Sequence, residues 1–155
     1  MTTLNHAITG AVIAVAVKKP LLAVPLALIS HYICDIIPHF GIHEHDHRLR
    51  NANRLFRVIT GLSVLGMTLL LLFTPFLSYQ GVSWLTVMAC IIAANLPDIV
   101  WVPNFVRQVK WGQEKAMGAF NRFHQAIQWY EKPLGLSVEA LWLFAGSFVL
   151  WSAIS

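Results

Sequence analysis

Five stretches of the chain are almost uninterrupted in apolar residues: Leu4–Val17, Leu21–Ile37, Val58–Tyr79, Val82–Val102 and Leu134–Ile154. A helix needs about 20 residues, within a range of roughly 17–25, to cross the hydrocarbon core of a bilayer. The last three runs meet that length. The first two are shorter and are separated only by Lys18, Lys19 and Pro20, which predicts a tight or partly re-entrant helical hairpin. An acid closes two of the runs, in Asp35-Ile36-Ile37-Pro38 and again in Asp98-Ile99-Val100, but no true repeat is present.

Two polar stretches interrupt this pattern. Residues 39–57 carry four histidines together with Arg48, Arg50, Arg54 and Arg57. Residues 103–133 carry Arg107, Lys110, Lys115, Arg122 and Lys132, interleaved with Phe105, Trp111, Phe120, Phe123, Trp129 and Tyr130. Basic residues mixed with aromatics predict an amphipathic helix lying at the membrane interface, and the plainer reading is solvated loops with anchoring aromatics. The expected fold is an all-α integral membrane protein in one domain over residues 1–155, with about five apolar helices and an interfacial amphipathic segment.

Composition agrees. Of 155 residues, 57% are hydrophobic and 12% charged, too few charges for an ordinary soluble surface. The net charge of +4 points to a membrane face rather than to nucleic acid. If all five runs cross, nine of the eleven Lys and Arg residues fall on the side of the N-terminus, with Lys18 and Lys19 opposite. The positive-inside rule makes that side cytoplasmic. Cys34 and Cys90 lie in apolar runs without spacing partners, which argues against a disulfide or a cysteine-based zinc site. The uncharged start and the Lys18-Lys19-Pro20 stop fit a cleavable signal peptide poorly.

Candidate chemistry comes from ionisable groups inside the apolar runs. Asp35, Asp98 and Glu139 have no Lys or Arg within four residues, yet an acid at mid-bilayer costs about 2.5–3.5 kcal/mol and is seldom left unpaired. His31 and Asp35 are four residues apart, so a helix sets both on one face where they can share a metal ion. Pro38 blocks continuation of that helix, and His39 stands ready to fold back beyond it. With the topology above, His6, His31, Asp35, Asp98, His124 and Glu139 all fall at one membrane face. Converging His and carboxylate side chains from several helices are how metal sites in bundles are built. Each residue also has a plainer reading: a helix-packing histidine at His6, a structural His31–Asp35 hydrogen bond, a cap on a helix broken at Pro97 for Asp98, an interfacial His124, and a snorkelling Glu139. The run His43-Glu44-His45-Asp46-His47 falls one residue short of a metallo-β-lactamase motif and reads best as a solvated, adventitiously metal-binding loop. Gly-x-Ser-x-Gly is absent, so a serine hydrolase has no support.

The segments His6-Ala-Ile-Thr-Gly10, Asp35-Ile-Ile-Pro-His39 and Asn121-Arg122-Phe123-His124 together resemble the membrane-bound metal-dependent hydrolases of bacteria. The stretch from Ser30 to His39 is also similar to the His-x-x-x-Asp zinc motif of zinc-dependent phospholipase C and related single-strand zinc nucleases. Asn121 stands where the first family carries a histidine. The resemblance implies an all-helical, inner-membrane protein that uses a divalent metal on a lipid or phosphoester.

The expectation is a membrane hydrolase at the cytoplasmic interface. His6, His31, Asp35, Asp98 and His124 are the metal ligands, Glu139 the general base or an outer acceptor, and the arginines of residues 39–57 hold an anionic lipid headgroup. Mixed His and carboxylate ligands suit Zn²⁺ best, then Mn²⁺ or Fe²⁺. The alternatives are a non-enzymatic metal-binding protein for transport or sensing, a helical membrane scaffold, and haem ligation by paired histidines.

Overall fold

The structure, a computed structural model, describes residues 1–41, 53–111, 118–128 and 131–154. Its regular elements are helices: α1 (Thr3–Val17), α2 (Pro20–Ile36), α3 (Arg54–Phe73), α4 (Trp84–Trp111), α5 (Ala119–Ile127) and α6 (Gly135–Ala153).

Local chemistry sets the ends. α1 stops where Lys18 turns left-handed (φ 60°) and returns its N–H to the Ala14 carbonyl. Lys19 is extended and Pro20 opens α2 at a position where its fixed φ suits a helix and its missing N–H costs nothing. α2 ends at Ile36 because Pro38 excludes the helical conformation at Ile37 (φ −72°, ψ 146°). Asn53 caps α3 by accepting the Phe56 N–H at 3.2 Å. A 3₁₀ turn over Thr74–Phe76 then leads through Gly81, at φ 71°, into α4.

Three helices are long and apolar enough to cross a membrane: Arg54–Phe76, Trp84–Pro103 and Gly135–Ala153. The expectation of five spans is therefore carried by three. α1 and α2 have 15 and 17 residues, because the Lys18–Pro20 turn cuts the first apolar region in two. The expectation of an amphipathic helix over 103–133 also changes. Its first part continues α4 through Pro97 and Pro103 to Trp111, and α5 is a separate helix. A proline inside a helix removes one donor, a loss that membrane helices tolerate where neighbours re-satisfy the backbone. Asp98 accordingly lies within α4 rather than at a broken end. The loop around His43, His45 and His47, together with Arg48, Arg50, Lys115, Trp129 and Tyr130, lies outside the described residues.

α1 is the central element, packing against α2, α3, α4 and α6; α4 also packs on α2, and α5 rests on α2. Small residues make this possible. Ala7, Gly10, Ala11 and Ala14 of α1 meet Cys90, Ala93 and Ala94 of α4 in the buried interior, with Ala23 and Ala27 of α2. Gly10 lies directly against the Cys90 carbonyl, with no room for a side chain. Close backbone approach through small residues is how helices gain packing energy where lipid removes the hydrophobic drive.

Polarity is inverted relative to a soluble protein. Leu62, Leu65, Leu69 and Leu72 of α3 and Leu141, Phe144, Phe148 and Trp151 of α6 point outward, while His6, His31, Asp35, Asn95 and Glu139 are buried. That distribution suits a lipid surround. The bundle has two distinct ends. At one, Gln80 donates to the Ala153 carbonyl and Gly81 approaches Lys18. At the other, the first amides of α1 meet side chains of α3 and α6: Leu4 N–H donates to Ser63 Oγ at 2.7 Å and Thr2 N–H to Glu139.

Gly10→Val is expected to destabilise the folded protein by about 1–3 kcal/mol through overpacking of α1 on α4. Thermal unfolding in detergent reads this directly, and an unchanged Tm would contradict the close approach.

Candidate metal centre

The polar end draws its chemistry from four helices. On α2, the one-turn spacing of His31 and Asp35 brings Nε2 within 3.3 Å of Oδ2, with neither side chain exposed. α1 contributes His6, whose Nε2 is 3.1 Å from Asp35 Oδ1 and whose ring stacks on His31 with centroids 4.1 Å apart. α5 contributes His124, with Nε2 3.0 Å from His31 Nε2 and 3.3 Å from Asp35 Oδ2. α4 contributes Asp98, with Oδ1 3.7 Å from His31 Nε2 and 3.6 Å from His124 Nε2. The five residues expected as metal ligands thus lie together, and they form two overlapping ligand groups, His6/His31/Asp98 and His31/Asp35/His124.

The protonation of His31 follows from its second nitrogen. Nδ1 lies 2.8 Å from the Ala94 carbonyl, which only accepts, so Nδ1 carries the hydrogen and Nε2 presents one lone pair. A backbone carbonyl holding the outer nitrogen is the usual support for a metal-binding histidine. Both ligand groups use His31, and one lone pair serves one ion, so they describe a single centre. His124 Nε2 faces that lone pair at 3.0 Å. Two bare lone pairs at this distance repel, and a proton or a cation between them removes the repulsion.

The spacing suits a cation. With zinc–ligand bonds of about 2.0–2.1 Å, tetrahedral corners stand roughly 3.3 Å apart. Nε2 of His31 and of His124 lie 3.0 Å from each other and 3.3–3.7 Å from Asp35 Oδ2 and Asp98 Oδ1. The pocket also attracts positive charge, since the Met1 amino group pairs with Asp35 Oδ1. Buried His/Asp groups of this composition can hold a metal ion. Among the described residues His6 Nδ1 has no hydrogen-bond partner, which leaves it one uncommitted nitrogen. Asp98 is the member that reaches the outside, with 29% of its side chain exposed.

Glu139, expected as the base, and His39, whose role the sequence left open, both lie apart. Glu139 belongs to neither ligand group among the described residues. Its Oε1 accepts the Phe40 N–H at 2.9 Å, its Oε2 the Asn5 amide at 3.0 Å, and both oxygens lie 3.1 Å from Thr2 N. It therefore ties the start of α1 and the exit from α2 to α6. His39 does not fold back onto the cluster. Its Nδ1 donates to the Ile37 carbonyl at 2.8 Å, and its buried Nε2 faces Glu131 Oε1 at 3.9 Å. Backbone pairing reinforces this clamp: Lys132 N–H donates to the His39 carbonyl at 3.0 Å, and Gly41 leaves room for the Glu131 side chain.

The sequence reading missed Gln128. Its Nε2 lies 3.2 Å from Asp35 Oδ2 and 3.4 Å from His124 Nε2. Its position one helical turn after His124 was the available signal.

No protein-family model, curated protein or solved structure matches this chain.

Glu139→Ala leaves buried amides without an acceptor, at about 1–3 kcal/mol for each one left unpaired. The expected outcome is a lower Tm in detergent, with Glu139→Gln intermediate and metal content per folded protein unchanged. Loss of metal at unchanged Tm would place Glu139 in the centre instead.

Proposed function

We propose that this protein is a membrane-embedded hydrolase that uses one divalent metal ion at one face of the bilayer and acts on a lipid or phosphoester. The observation that carries this reading is the convergence of His31, Asp35, Asp98 and His124 from helices α2, α4 and α5, with Nε2 of His31 and of His124 each within 3.0–3.7 Å of one another and of both carboxylates. The resemblance of its motifs to membrane-bound metal-dependent hydrolases and to zinc-dependent phospholipase C supports the same chemistry.

The donor set suits Zn²⁺ first, with Mn²⁺ or Fe²⁺ next. A divalent ion with an open position would supply acidified water near neutral pH and would polarise a phosphoryl or carbonyl oxygen. The chain's own residues do the rest. The Ala94 carbonyl holds the His31 tautomer, His6 orients Asp35, and Glu139 fixes the helices that present them. Asp98, the partly exposed member, marks the side on which water and substrate arrive. Arg54 and Arg57, at the start of α3, supply cationic partners for an anionic headgroup at this end. The excess of Lys and Arg in the polar stretches of the sequence, read by the positive-inside rule, supports a cytoplasmic location for this end.

Burial favours a second reading. His31 and Asp35 have no exposed surface, and His6 almost none, which also suits an ion held without turnover for transport or sensing.

Elemental analysis of detergent-purified protein tests the metal, with Asp35→Ala and His124→Ala beside wild type. A single ion per chain, lost in both variants, is expected. Metal-free, well-folded wild type after reconstitution with zinc, manganese and iron would overturn the reading. Phosphoester and phospholipid turnover by the loaded protein, abolished in Asp98→Asn, separates a hydrolase from a metal carrier.

A further inference from the structure

We propose that Gln128 is a positioning residue of this centre, whose carboxamide holds Asp35 and His124 aimed at one point before the ion arrives. This rests on the metal reading above.

Asp35 Oδ2 and His124 Nε2 stand 3.3 Å apart, and both are acceptors when His124 presents a lone pair there. Nothing in such a pair holds it together. Gln128 Nε2 lies within 3.2 Å of the first and 3.4 Å of the second. A primary amide nitrogen carries two hydrogens and offers no lone pair, so one group serves both acceptors. The other Asp35 oxygen is engaged separately, by His6 Nε2 at 3.1 Å and by the Met1 amino group. Gln128 therefore determines how Oδ2 is presented.

The need is greatest for His124. It is the one ligand carried outside the two inner helices and α4, on a helix of nine residues. A helix that short has little stability of its own and takes its orientation from its contacts. α5 rests on α2, where the Phe123 and Tyr32 rings meet at 5.6 Å. Gln128 adds a polar contact just past the C-terminal end of α5, one turn beyond His124. When an ion takes the His124 lone pair, the amide retains its bond to the carboxylate, which has lone pairs to spare. Losing Gln128 thus weakens ion binding and leaves the spanning helices untouched.

The test compares wild type, Gln128→Met, Gln128→Ala, His124→Ala and Asp35→Ala in detergent. Zinc affinity is read by competition with a chromophoric chelator, and ligand geometry by the visible spectrum of bound Co²⁺. Gln128→Met keeps the length of the side chain without its donors. Both Gln128 variants are expected to lose about 10–100-fold in zinc affinity, the scale of an outer-shell partner. Their cobalt spectra should shift toward that of His124→Ala, with the metal-free Tm unchanged. Wild-type affinity and spectrum in Gln128→Met, beside lost metal in Asp35→Ala, would overturn the role of Gln128 and leave the metal reading standing. Metal retained in Asp35→Ala would overturn both. An affinity loss matched by an equal fall in metal-free Tm in both Gln128 variants would assign the residue to packing and overturn the proposal.

Discussion

A carboxylate with no exposed surface, set among apolar helices, is the constraint around which this molecule is arranged. Burying the ionised Asp35 side chain without partners costs far more than a domain's net stability allows. Its two oxygens accordingly draw donors, His6 and the Met1 amino group on one side and Gln128 on the other, while His31 and His124 stand close enough to share an ion with it. These come from the start of α1, the end of α2, α5 and the segment just after it. Satisfying one acid therefore specifies which helix ends must meet.

Meeting is possible only because the inner helices are lined with small side chains. Gly10 on α1 lies against the Cys90 carbonyl of α4, and α2, lined by Ala23 and Ala27, packs on the same helix so that His31 reaches the Ala94 carbonyl. Larger residues would hold α1, α2 and α4 apart and open the polar cluster. The apolar bulk goes outward instead, onto α3 and α6. In lipid this costs nothing, because the surround is as apolar as the side chains.

A second acid organises the periphery. Glu139 gathers amides from Thr2, Asn5 and Phe40, so α6 is tied to both strands of chain that lead into the cluster. Just beside it, His39 and Glu131 clamp the exit of α2 to the segment before α6. The two acids divide the work: Asp35 sits among side-chain nitrogens that can bind an ion, whereas Glu139 is enclosed by N–H donors. The oxygens of Glu139 are committed to these amides, whose loss would leave buried N–H groups unpaired.

Much of this was legible along the chain. Helix geometry is local, so the four-residue spacing of His31 and Asp35, the stop at Pro38, the turn at Lys18–Pro20 and the apolar lengths of α3, α4 and α6 follow from the order of residues alone. The rule that buried acids need partners also singled out Asp35, Asp98 and Glu139. Which partner each acid takes was not legible. His124 is 89 positions beyond Asp35 in the numbering, and its approach depends on how a short helix docks on α2. Continuation of α4 through Pro97, capture of His39 by Glu131 and entry of Gln128 into the cluster depend likewise on neighbours remote in the chain. Sequence spacing determines what shares a face of one helix. Only the packing of separate helices, set by where glycine and alanine let backbones touch, decides which faces meet.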